Sequence, residues 1–350
     1  MLEIGHLALY KKLFPILFII VFAKASFPQH YPDPTVDSLL KSGIKNIIND
    51  NYSQAESTFI GLQNKYPRLP LGKIYLSAVK IARAYDLAES FDEQFITKNL
   101  DDAIEQSKEL VNRSENNIWY RYFLALSEGY YAYFEALNKD WLPAFTSGLN
   151  SVSDLEKCLK LNPKFYEAYI ALGTFKYWKS RKTEFISWLP FIHNDEETGV
   201  KLLKIAIDSS SYNKYLAINS LIWIYIDKHE YETAVKLASD ALIQFPESRL
   251  FEWGLARAYE DIDKFKSIKI YTQILGSYKN ENKLNEYNEI LIKHIMAQQF
   301  SKIGENKKAL ILCDEILSLK NIPDYIMKKL GNRLERVKKL REQLQKELTR

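Results

Sequence analysis

Apolar and polar positions in this chain fall at helical spacing over most of its length, in pairs of runs joined by short turns. Residues 51–67 (NYSQAESTFIGLQNKYP) and 230–246 (EYETAVKLASDALIQFP) carry the same order. An aromatic, Tyr52 or Tyr231, is followed three residues later by Ala55 or Ala234, and Pro67 or Pro246 comes twelve residues after that alanine. Apolar side chains three and four apart make one face of a helix, and the proline ends it. In the first unit Leu39, Ile44, Ile47, Ile48, Phe59 and Leu62 form the apolar stripe, with Asp50-Asn51 as the turn. Gly43 stands twelve residues before Ala55, where two helices touch and a small residue is wanted.

Seven such units can be laid along the chain. After an extended lead-in over 26–34, which holds three prolines, the first covers 35–68. The second has its first helix at 72–88, a turn at 90–93, and Ala103 in the place of Ala55. The third begins at Asn117 and is strongly aromatic, with an interruption at 138–143 and a second helix over 144–161 that ends at Asn162-Pro163. The fourth opens at 166–176 with Leu172-Gly173. An insertion follows at 177–197 (YWKSRKTEFISWLPFIHNDEE), and then a second helix at 198–208. The fifth, 214–246, is the most regular. The sixth, 249–275, is one residue short between its helices, and a polar link at 278–285 leads to the seventh, 286–319. From 323 to 350, Leu330, Leu334, Val337, Leu340, Leu344 and Leu348 form one apolar edge on an otherwise charged segment. That pattern predicts one long amphipathic cap helix, which a repeat array needs at its end. A coiled-coil dimer is the alternative for this tail.

These residues resemble the tetratricopeptide repeat (TPR) family over 35–319. The family's tryptophan at the fourth repeat place is absent throughout. The resemblance implies an all-α, right-handed superhelical solenoid of antiparallel helix pairs. It also implies that the first helices line a concave groove of the kind that commonly holds peptides or partner helices. No reaction is implied. Residues 178–199, through Trp178, Thr183-Glu184, Ser187-Trp188-Leu189-Pro190-Phe191 and Gly199, with Tyr177 before them, also look like a segment of exported bacterial TPR proteins of unassigned role.

Composition narrows the choice. The 350 residues are 47% hydrophobic and 13% aromatic, which argues against disorder, and the 12 glycines and 11 prolines are few for an all-β fold. A net charge of +4 is small for this length and does not suggest a nucleic-acid binder. The N-terminus reads as a secretory signal: Lys11-Lys12, the apolar run 13–22 (LFPILFIIVF), then Ala23-Lys24-Ala25 as the cleavage site. Cleavage after Ala25 would place the protein in the periplasm or cell envelope. An uncleaved membrane anchor is the alternative. Removing Lys11, Lys12, Lys24 and Glu3 takes two net charges from +4 and leaves +2. Cys158 and Cys313 fall on the apolar faces of second helices in different repeats. They read as buried small side chains, since repeats so far apart in sequence should not approach closely.

Chemistry is sparse. No pair of histidines has metal-ligand spacing, and there is no phosphate loop, nucleophile elbow or paired-cysteine motif, so no cofactor or metal is expected. His193 with Asp195, Glu196 and Glu197 is the one local cluster, and capping by Asn194 with acids at a helix start accounts for it. The contact candidates are Tyr130 and Tyr133 in the third unit, and Trp178, Phe185, Trp188, Leu189 and Phe191 in the insertion, with Lys179, Arg181 and Lys182 as a small basic cluster. Loops left in water are normally polar, so the insertion either plugs the superhelix or exposes a contact patch. The expected function is a non-catalytic scaffold that binds a protein or peptide partner in the groove, with peripheral envelope association a further option. The alternative is a binder of a small apolar or lipid-like ligand enclosed by the insertion. An enzyme using His193 and Glu196 comes third.

Overall fold

The protein is described here by a computed structural model covering residues 29–183 and 195–349, without the side chains of Lys182 and Thr183. Those residues form sixteen α-helices, of which the first fourteen are antiparallel neighbours in sequence order. The pairs are α1 (Pro34–Ile48) with α2 (Tyr52–Lys65), α3 (Leu71–Asp86) with α4 (Glu93–Arg113), and α5 (Ile118–Leu137) with α6 (Trp141–Leu161). They continue as α7 (Glu167–Thr183) with α8 (Glu196–Ser209), and α9 (Lys214–Asp227) with α10 (Tyr231–Gln244). The last are α11 (Arg249–Ile262) with α12 (Lys264–Asn280), and α13 (Glu286–Lys302) with α14 (Asn306–Ser318). This is an all-α helical repeat solenoid.

Local chemistry sets the ends of the helices. At α1 the Asp33 carboxylate accepts from the N–H groups of Thr35 and Val36, and Pro34 opens the first turn with its φ already helical. Small residues set how close the pairs come. A methyl on Gly43 would lie 2.2 Å from Phe59 Cζ, so the Phe59 ring can rest on α1 only because that position has no side chain. Between α7 and α8 the backbones themselves touch: a methyl on Gly199 would meet the Gly173 oxygen at 2.6 Å. Cys158 and Cys313 are buried and free.

Three expectations need correction. The insertion begins later than the sequence suggests, because α7 runs on to Thr183. Tyr177 continues its inward face: the ring is fully buried and its hydroxyl donates to Asp227 at 2.7 Å. Arg181 Nε donates to the same Asp227 at 2.6 Å, so Arg181 is not part of a free basic cluster. The interruption at 138–143 is also shorter, since Trp141 and Leu142 already belong to α6; Pro143 sits in its first turn, where a missing N–H costs nothing. The tail is two helices, α15 (Asp324–Leu330) and α16 (Arg333–Leu348), broken at Gly331, whose φ of +56 suits glycine. Val337 and Leu344 of α16 are fully buried in a cluster with Ala309, Cys313 and Ile316 of α14, which makes the tail an intrachain cap. Phe185, Trp188, Leu189, Phe191 and His193 lie outside the described residues, as do residues 1–28.

Distant repeats do approach one another. The array coils tightly enough for its first two pairs to rest on the later ones. The Tyr31 N–H donates to the Tyr212 hydroxyl, which donates to Asp37. Ser248 Oγ donates to the Ile48 carbonyl, 200 residues away. Asn288 donates to the Asp86 carbonyl at 2.9 Å, and Lys329 Nζ donates to the carbonyls of Ala88 and Glu89. The start of α1 therefore lies against the start of α9, the turn after α1 against the start of α11, and the turn after α3 against the start of α13 and against α15.

Candidate functional site

Arg249 is the centre of that seam. It is 1% exposed and held by three acids. Its Nη2 reaches Asp86 at 2.9 Å and its Nη1 reaches Glu281 at 2.6 Å, while its backbone N–H donates to Asp50 at 2.9 Å. The Tyr278 ring lies 4.7 Å from the guanidinium carbon, and the Tyr278 hydroxyl donates to Asp86 at 2.7 Å. Burial works against the charge on Arg249, but its bonds to Asp86 and the charges of Asp50 and Glu281 outweigh burial and raise its pKa. Asp50 shows the cost of this arrangement. Burial, with the Asp86 charge beside it, pushes its carboxyl up to about 7 despite Arg249. A cleft of about 570 Å³ opens on the seam, lined by residues that include Asp50, Ser53, Gln54, Arg83, Glu89, Asn282 and Lys283. Its charges are largely paired, Arg83 with Glu89 and Lys283 with Glu281, so it offers no concentrated charge to a ligand.

Two of the aromatic candidates lie on α5. Tyr130 is half-buried in the core, edge-on to Tyr75 with ring centres 6.4 Å apart. Tyr133 is 48% exposed, yet its hydroxyl is held above the usual range by the protein around it, then by the Tyr85 and Tyr130 hydroxyls. Tyr85 is 65% exposed, and burial and then the Tyr287 hydroxyl raise its pKa, so α3, α5 and α13 bring these tyrosines near one another. Trp178 packs edge-on against Tyr177 at 5.2 Å on α7 and is part of the helix-pair core. The structure therefore brings Tyr130 and Tyr133 together and leaves Trp178 apart from them.

The most exposed apolar surface lies where no candidate was expected. On α6, Trp141, Leu142, Phe145 and Leu149 are 68%, 76%, 56% and 43% exposed. Their spacing places them on one face over two helical turns. Ser151 turns the other way, against Gly129 of α5, and Gly148, at the edge of the stripe, comes near Ala132. No charged residue occurs between Asp140 and Asp154, so the stripe is bordered only by neutral side chains. Among the described residues the other helices carry at most one such residue each, as Ile243 on α10 and Phe265 on α12, except α15, which exposes Tyr325 and Met327. The signal was present in the sequence as the i, i+1, i+4, i+8 pattern. An interruption at 138–143 conceals it, because it leaves Trp141 and Leu142 off the helix.

Asp195, before α8, accepts no side-chain bond from the N–H groups of that helix; its own N–H donates to Ser180 Oγ at 2.8 Å, and its carboxylate meets Lys176 at 3.3 Å. Among the described residues, no group of three or more His, Cys, Asp or Glu side chains could hold a metal ion, and no helix is long and apolar enough to cross a membrane.

No protein-family model matches the chain, and no curated protein matches it. Among solved structures it is similar to a monomeric mutant of IFIT1 solved with Gppp-AAAA, at 15% identity and a TM-score of 0.46, over 83% of this chain and 61% of that one. It thus spans about three fifths of that protein's length. It is also similar to yeast Tom70, at 14% identity and a TM-score of 0.41, over 92% of this chain and 67% of that one. A third is the TPR domain of P58(IPK), at 13% identity and a TM-score of 0.27, over 89% and 99%.

Proposed function

We propose that this helical repeat scaffold is a non-catalytic, exported protein that holds a protein partner through the apolar stripe of α6. The carrying observation is the exposure of Trp141, Leu142, Phe145 and Leu149 on one face. Leaving four large apolar side chains in water is unfavourable by about 25 cal/mol per Å² of apolar surface, and a contiguous patch of that kind marks an interface. The stripe is about 12 Å long, two turns of helix, which suits the apolar face of a partner helix. Its neutral border favours a contact driven by burial over one driven by charge. Export to the periplasm or envelope rests on Lys11-Lys12, the run 13–22 and Ala23-Lys24-Ala25.

The test is crosslinking capture from envelope extract, with the mature chain beside a Trp141→Ser, Phe145→Ser double variant. Both substituted side chains are exposed, so the fold should survive. A specific protein captured by the wild type and lost in the variant supports the reading. An identical captured set from both chains contradicts it, and concentration-dependent self-association lost in the variant would assign the stripe to a second copy instead.

A further inference from the structure

Partly buried cations in this chain are matched by acids almost everywhere. Arg249 has three, Arg121 has Asp154 at 3.0 Å, Arg181 has Asp227, and Lys293 has Glu289 at 2.6 Å and Glu315 at 2.9 Å. The start of α16 breaks this rule. Arg333 is half-buried and Arg336 follows one turn later, in solvent. Among the described residues no carboxylate lies within ion-pair distance of either guanidinium; Glu335, between them in sequence, pairs with Lys338, and Asp314 of α14 pairs with Arg341.

The third basic group comes from α13. His294 is 1% exposed, and Arg333 Nη1 donates to its Nδ1 at 3.2 Å. That bond leaves the ring proton on Nε2, which has no hydrogen-bond partner. Burial pushes His294 down to about 4, with Arg333 and then Arg336 adding to the effect. Burial also lowers Arg333, as does the Arg336 charge, and only the Tyr287 hydroxyl offsets them. The cap residue of α16, Asn332, makes no side-chain bond to the first-turn N–H groups. Arg333 and Arg336 thus set two like charges at the positive end of α16, beside a buried neutral imidazole, an arrangement that repels itself until an anion enters.

We propose that Arg333 and Arg336, backed by His294, form a binding site for an oxyanion: a phosphate or carboxylate group, free or carried on a larger ligand. Forked guanidinium groups grip such oxygens in pairs, which a lysine cannot do. The site lies on α13 and α16, away from the α6 stripe, and either can fail without the other.

The full chain is titrated at constant ionic strength with inorganic phosphate and, separately, with a triglutamate peptide. The thermal midpoint and the His294 ring resonances are followed. Binding should raise the midpoint saturably and move His294 toward protonation, because an anion beside the ring favours its charged form. Arg336→Gln, at an exposed position, should weaken binding by about tenfold or more, and Arg333→Met by at least as much. A response to phosphate assigns the site to phosphate-type anions, and a response to the peptide alone assigns it to carboxylates on a chain. No response to either, or wild-type binding by Arg336→Gln, overturns the proposal. If Arg333→Met fails to fold, Arg336→Gln and the His294 shift still decide it.

Discussion

Gly43 and Glu128 show what single residues contribute here. The Phe59 ring occupies the space a side chain at position 43 would need. Gly43→Ala should destabilise the fold by about 1–3 kcal/mol through overpacking, read as a lower denaturant midpoint with an unchanged slope. Glu128 on α5 is buried, with one carboxyl oxygen unpartnered, and burial and then Asp154 push it up to about 7 against the pull of Lys108 and Lys157. A carboxyl raised in the folded state binds its proton more tightly there than in the unfolded chain, so stability falls as pH rises from about 4 toward 7. Asp50, Glu167 and Glu252 are raised to about 7 as well, each mainly by burial. Asp37, Asp227 and Glu281 are lowered, and their contribution is lost only in stronger acid. The chain should therefore unfold more easily at pH 8 than at pH 5.5. Glu128→Gln should reduce that difference, raising the pH 8 midpoint by a few degrees, about 1 kcal/mol, with little effect at pH 5.5.

Among the elements, what the sequence made legible was local. The helix pairs follow from spacing, and Ala55, Ala103, Ala234 and Gly43 all stand where neighbouring helices meet. Boundaries failed where a single punctuating residue was misjudged. Pro143 was read as a break but sits harmlessly in the first turn of α6. The tail's apolar edge predicts one helix through Gly331, the single turn signal in that segment, yet Gly331 ends α15. The second error bears on the coiled-coil alternative, because a broken tail with Val337 and Leu344 buried against α14 has no free seam for a partner. Leu344→Ala should cost about 2–5 kcal/mol in thermal or denaturant unfolding of the whole chain, since its site is fully enclosed. Sedimentation at varied concentration should show no change in association state from this substitution. A dimer that dissociates in the variant would restore the coiled-coil reading.

For the whole molecule, the coil that brings repeats one and two onto repeats six and seven has no signature in the sequence. Asp50 and Asp86 are unremarkable turn acids until Arg249 reaches them from 199 and 163 residues away. Only the accumulated curvature of the stack decides that meeting. Arg249→Met should cost about 3–5 kcal/mol, because it leaves buried carboxylates without a counter-charge. Hydrogen exchange should show the added protection loss concentrated at the turn after α3 and the link before α13. The most direct test of closure is a distance measured between spin labels at Ser53 and Asn282, two exposed positions that line the seam cleft. A narrow distribution at short range, broadened by Arg249→Met, is the result expected of a coil closed on itself. A wild-type distribution centred near about 50 Å, the span of five or six stacked pairs at 8–10 Å each, would mean an open array and would contradict the closed architecture.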